Sequence, residues 1–155
     1  MRVVAMTAAA SALVLAACGD RQSQTVTNPQ TGESVTVESG SGARAPANMP
    51  DFAPLYPGAT IENSMTGTSS GESGANRGGM VTLRVNDGAE QVAAFYRQAL
   101  DRSNLSERNE LNINGVLMIT GNAPDDPNRA LQVSIAPNTD GPGSLVTLVY
   151  SLGEG

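Results

Sequence analysis

The 155-residue chain has no histidine, no tryptophan and a single cysteine, and all nine of its basic residues are arginine. Without histidine there is no imidazole to act as the base for a serine or cysteine nucleophile, to ligate zinc or haem, or to titrate near neutrality. Without lysine there is no Schiff base, no Ser-Lys dyad and no phosphate loop of the Walker type. Positive charge is scarce overall: the net charge is -6 and the isoelectric point about 4.5. No nucleic-acid partner is therefore expected, since neutralising phosphates requires a basic surface. One cysteine permits no internal disulfide, so the fold must stand on its core alone.

What the chain does have is concentrated first at its amino terminus. Arg2 is followed by an uncharged run from Val3 to Ala17 that ends in Leu15-Ala16-Ala17, directly before Cys18 and the polar stretch Asp20-Arg21-Gln22-Ser23. The run is shorter than the about 20 apolar residues of a membrane span, and reads as a secretory signal. Leu15-Ala16-Ala17-Cys18 resembles the lipobox of bacterial lipoproteins. The resemblance implies that residues 1–17 are a signal peptide cut before Cys18, that Cys18 carries diacylglycerol, and that the protein is anchored to a membrane through that lipid. Two or more acyl chains hold a protein on a bilayer, at about 0.8 kcal/mol per buried methylene. In such lipoproteins an aspartate right after the cysteine favours the inner membrane; Gly19 stands there instead, with Asp20 one later. This implies a periplasm-facing location in the cell envelope, at the outer rather than the inner membrane. The mature chain has eight arginines against fifteen carboxylates, a net charge of -7.

All five aromatic residues, Phe52, Tyr56, Phe95, Tyr96 and Tyr150, lie beyond residue 51. Residues 18–50 have few large apolar side chains and read as the lipidated cysteine plus a flexible tether. Within it, Thr25-Val26-Thr27 and Ser34-Val35-Thr36-Val37 flank a turn-rich loop, the pattern of a hairpin at 25–37. An isolated hairpin is marginal in water, so this one is ordered only if it finds the domain or a partner to pair with. Ser39 to Ala47 has linker composition.

The globular domain is expected over 51–152. Tyr56-Pro57-Gly58-Ala59 reads as a type II turn, followed by a strand to about Thr66, a long Gly/Ser-rich loop over 67–79 and a strand over 80–85. Asp87 and Glu90 are spaced as a capping box, and Val92, Phe95, Tyr96, Ala99 and Leu100 follow at the spacing of one apolar helical face. This predicts a helix at about 88–103. Strands are predicted over 105–111, 116–120, 131–136 and 145–150, with Asn112-Ile113-Asn114-Gly115 as a hairpin turn. One helix and no repeated crossover give an α+β domain: an antiparallel sheet of about five to six strands with the helix on one face. Tyr56-Pro57-Gly58-Ala59 together with Phe95-Tyr96-Arg97 and Leu100 is similar to a pattern in small uncharacterised bacterial envelope domains.

No motif carries catalysis. Gly67-Thr68-Ser69-Ser70-Gly71 matches the G-x-S-x-G form of a nucleophile elbow, but such a serine needs a histidine base and a strand-to-helix turn. Asp125-Asp126-Pro127-Asn128 and Asp140 do not have calcium-loop spacing and read as solvated turns. A pair of them could be proposed for glycoside hydrolysis, yet the aromatic platforms of a sugar site are missing. Phe95 and Tyr96 read as core, and Arg97 and Arg102 as solvated surface. The sequence thus specifies no cofactor, no metal and no catalytic residue; Cys18 is its one site, for lipid. It reads as a membrane-anchored periplasmic lipoprotein, not an enzyme, serving as a binding or envelope-associated module with an envelope protein as partner. The alternative is a small-ligand binder or a weak carboxylate-dependent hydrolase. A deep pocket with converging carboxylates would favour the alternative, and an exposed apolar patch or strand edge the first reading.

Overall fold

The computed structural model describes residues 22–71, 74–126 and 128–152. The expected signal segment and Cys18 lie outside the described residues. Eight strands and one helix follow one another as β1 (Gln22–Thr27), β2 (Ser34–Ser39), β3 (Thr60–Gly71), β4 (Gly74–Val85), α1 (Ala89–Arg102), β5 (Glu107–Ile113), β6 (Val116–Asn122), β7 (Ala130–Pro137) and β8 (Ser144–Leu152). They form one antiparallel sheet in the order β1-β2-β3-β4-β8-β7-β6-β5. The α+β class stands, but the sheet has eight strands where the sequence predicts about five to six.

The extra strands come from the amino-terminal hairpin. The pattern at 25–37 forms β1 and β2, and β2 continues onto β3 through pairs such as Thr36 with Thr66 and Val37 with Met65. The sheet therefore takes in residues that the sequence assigns to the tether. A hairpin too weak to persist alone gains backbone hydrogen bonds and neighbours for its Val and Thr side chains when it extends an existing edge. Linker residues are drawn in as well: Ala43 is buried, and Met49 packs against the core.

The Gly/Ser-rich segment 67–79 is not a loop. β3 and β4 pair continuously out to Gly71 with Gly74, so the segment forms the outer half of a long hairpin. β2 flanks the segment only at Gly67 and Thr68 and β8 only from Arg77 to Gly79; between them Ser69 to Gly71 pair with Gly74 to Asn76 alone, continuing the hairpin that the flanked residues begin.

The helix crosses from β4 in mid-sheet to β5 at the far edge and packs on β6 and β7. Its buried residues are Val92, Ala93, Tyr96, Ala99 and Leu100. The capping box does not form. Gly88 is the N-cap, with no side-chain cap, and Asp87 instead accepts a hydrogen bond from the Tyr56 hydroxyl at 2.7 Å. The helix ends as expected near Ser103-Asn104: Asn104 is left-handed at φ 55, and the Leu105 amide donates to the Leu100 carbonyl at 3.2 Å. Such a reversal sets Leu100 beside Leu105. Both rest on Gly121 of β6, where an added Cβ would come within 2.7 Å of Leu100 Cδ2 and 3.1 Å of Leu105 Cβ.

Register assigns the two faces. Val81, Leu83 and Val85 of β4 share the helix side with Val146 and Leu148 of β8, Leu131, Val133 and Ile135 of β7, and Leu117 and Ile119 of β6, and all are buried. Phe52 and Ala53, in the segment before β3, join the same core. Among the described residues no helix covers the other face.

Candidate functional site

Beyond the helix, the core side of the sheet changes character. Ser34, Thr36 and Glu38 of β2 lie opposite Thr68, Thr66 and Ser64 of β3, so the period-2 alternation of both strands places hydroxyls and one carboxylate on this side. The chain from Arg44 to Asn48 crosses above them. It is fastened there by the Arg44 amide to Glu38 Oε2 at 3.2 Å and by the Ser64 hydroxyl to the Arg44 carbonyl at 2.9 Å. Between strap and strands lies an open trough of about 520 Å³, closed at its far end by Arg77, Tyr150 and Leu152. Its size is within the 300–1,000 Å³ range of small-molecule sites.

Tyr150 is the distinctive residue of the trough. It pairs with Gly79 across β4 and β8, and its ring lies over that glycine: a Cβ there would collide with the Tyr150 hydroxyl and ring and would meet the Met65 carbonyl at 2.9 Å. Glycine at 79 is thus what lets the phenol reach across β4 toward β3. Tyr150 is 3% exposed, and among the described residues its hydroxyl has no hydrogen-bond partner. Burial raises its pKa above the ordinary phenol value. A buried hydroxyl left unpaired costs about 1–3 kcal/mol, so a ligand able to pair with it recovers that cost.

The lining is rich in hydroxyls and poor in carboxylates. Among the described residues Glu38 is the only carboxylate lining the trough, whereas hydrolysis by paired acids requires two on opposite sides of the scissile bond. Among the described residues no cluster of three or more potential metal ligands occurs. Gly67 to Gly71, with the elbow-like spacing, lies within β3 and not at a strand-to-helix turn. Asp126 accepts from the Asn128 amide at 2.9 Å, and the Asp140 amide donates to Asn138 Oδ1 at 3.2 Å. These are turn contacts, and none of these residues lines the trough.

The aromatic pair on the helix is divided. Tyr96 is fully buried with an unpaired hydroxyl, and burial pushes its pKa well above the ordinary value. Phe95 is half-buried and makes edge contacts with Tyr56 at 5.1 Å and Tyr96 at 5.0 Å. Arg97 is not a freely solvated arginine: it donates two hydrogen bonds to Glu110 of β5, at 3.1 and 2.5 Å, and lies 3.6 Å from Glu90. That contact raises the Arg97 pKa and lowers that of Glu110. Arg102 bonds the Gln98 carbonyl at 3.2 Å.

The trough residues escape sequence reasoning because most sit in segments read as tether or loop. Their signal is present in Ser34-x-Thr36-x-Glu38 and Ser64-x-Thr66-x-Thr68, two polar alternations that only a strand can bring to one face. Comparison with known proteins gives one match: a family model described as START domain-like covers residues 61–142, just over half of the chain and everything from β3 to β7. No curated protein and no solved structure matches the chain significantly.

Proposed function

Since this chain belongs to the START domain-like family, we propose that it is a non-enzymatic ligand-binding module whose site is the hydroxyl-lined trough. The observation that carries the reading is the Tyr150 hydroxyl, buried at the trough without a partner. The ligand is a polar small molecule: Ser, Thr and Tyr hydroxyls offer donors and acceptors, and Arg44 and Arg77 favour a negatively charged group. Screening by thermal shift against polar and anionic metabolites tests this. A binder of the native protein should lose at least tenfold in affinity with Tyr150→Phe, and with Arg77→Gln if the ligand is anionic. If no binder is found, or if binders are indifferent to both changes, the trough is not the site.

The module works at the cell envelope, held to a membrane facing the periplasm by lipid on Cys18. Support comes from the apolar run ending in Leu15-Ala16-Ala17 before the only cysteine. Among the described residues no helix is long and apolar enough to cross a membrane. Mass spectrometry of membrane-extracted protein should find a mature start at Cys18 and added lipid mass. Cys18→Ser should release the protein or leave it uncleaved.

A further inference from the structure

Seven large hydrophobic residues among those described are strongly exposed, and register places every one on the helix-free face of the sheet. Five of them, Val26 at 61%, Val35 at 41%, Val37 at 38%, Met65 at 39% and Val149 at 41%, belong to β1, β2, β3 and β8. Val37, Met65, Met80 and Val149 form one continuous cross-strand row. Beside it Gly67 and Gly78 contribute no side chains, leaving an open hollow of about 480 Å³. Arg77 borders the hollow through the chain only, since register turns its side chain to the trough side with Tyr150 and Leu152. Patches of this kind on one face mark a surface that something covers.

The occupant follows from the chain before β1. Cys18 precedes Gln22, the first residue of β1, by four residues. Four residues span at most about 14 Å when fully extended, whereas an eight-stranded sheet is roughly 34 Å across. A connection so short keeps the β1 end of the sheet within about 14 Å of the surface in which Cys18 is anchored. The helix side presents Glu90, Arg97, Asp101 and Glu110 in ion pairs. The helix-free face beside β1 presents Val and Met, with Arg84 on the same face neutralised by Glu62.

We propose that the helix-free face lies against the lipid bilayer, with the row around Met65 and Val149 seated at the headgroup and acyl boundary. The proposal rests on the lipid anchor at Cys18 proposed above. In this pose the edge strand β1 is held next to the membrane, while the trough opens on the opposite side of the sheet, toward the periplasm.

The test uses the mature lipidated protein in vesicles of phosphatidylethanolamine and phosphatidylglycerol. The Cys18 sulfur is taken up by lipid, so Met65→Cys, Val149→Cys and, on the exposed side of the helix, Gln98→Cys each provide one thiol for a nitroxide label. On vesicle binding, labels at 65 and 149 should gain collisions with oxygen and lose collisions with a water-soluble nickel complex several-fold, and the label at 98 should change in neither. If 65 and 149 stay as water-accessible as 98 while lipid is found on Cys18 and the protein floats with the vesicles, the docking is overturned and the anchor stands. Absence of lipid on Cys18 overturns both. Spin–spin broadening at 65 that disappears on dilution with unlabelled protein would assign the patch to a second copy of the chain, and would also overturn the docking.

Discussion

Tyr96 and Tyr150 each bury a phenol whose hydroxyl finds no hydrogen-bond partner, and they do so for different reasons. Tyr96 is fully buried in the core, with Tyr56 beside its hydroxyl. Tyr150 lies over Gly79 and lines the open trough. Tyr150→Phe should therefore leave the unliganded protein equally stable or more stable by up to about 1 kcal/mol, since an unsatisfied group is removed with little change of shape; chemical denaturation checks this. Burial raises the pKa of both phenols, so the native state keeps their protons longer than the unfolded state, in which phenols ionise near pH 10. Their contribution is fully present below about pH 10 and is lost as the pH rises toward the folded values. Phenolate absorbance should show part of the tyrosine signal appearing only together with alkaline unfolding, and Tyr96→Phe should move that transition to higher pH.

The helix shows how a correct element can carry a misjudged detail. Its apolar spacing marks Val92, Tyr96 and Leu100 correctly as buried, but Phe95 is only half-buried and bridges Tyr56 and Tyr96. Tyr96→Ala should cost about 3–5 kcal/mol as a large-to-small core change. Phe95→Ala should cost about 2 kcal/mol, because less area leaves water, with some ring-edge attraction added. Arg97 connects the helix to β5, a strand whose side chains are all exposed. Arg97→Ala should destabilise by about 0.5–1 kcal/mol, less at high salt. Hydrogen exchange should show the loss concentrated in β5. A solvated arginine would show neither effect.

At the scale of the molecule, the core and the site divide along the sheet. Apart from Ala43, the buried core begins at Phe52, with Met49 packed against it, so residues 48–155 contain nearly the whole core. A chain starting at Asn48 should still unfold cooperatively in denaturant, but at a lower midpoint than residues 19–155. It should also associate with itself, since removing β2 leaves the twelve-residue β3 as an open edge. It should bind no trough ligand, because one wall of the trough is gone. Sedimentation velocity and ligand titration check both points.

The sequence by itself determined the α+β class, the position of the one helix, the type II turn closed by the Ala59 amide on the Tyr56 carbonyl at 3.1 Å, the Asn114-Gly115 turn with both residues at positive φ, and the alternation that buries β6 to β8. These are local patterns: each depends on residues within a few positions of one another, so spacing and turn chemistry suffice. Only tertiary structure decided the rest. The stretches 22–39 and 67–79 are weak strand formers with few large apolar groups, and they become strands because each lies beside a partner strand that supplies its hydrogen bonds. The trough exists only because those pairings bring Thr36, Thr66 and Tyr150 to one face and the strap from Arg44 to Asn48 across it. Asp87 likewise serves Tyr56 and not the helix end, since a donor thirty-one residues away in the chain reaches it first. Long-range pairing of this kind costs loop-closure entropy that no local pattern records, and it is stabilised only when the whole sheet is assembled.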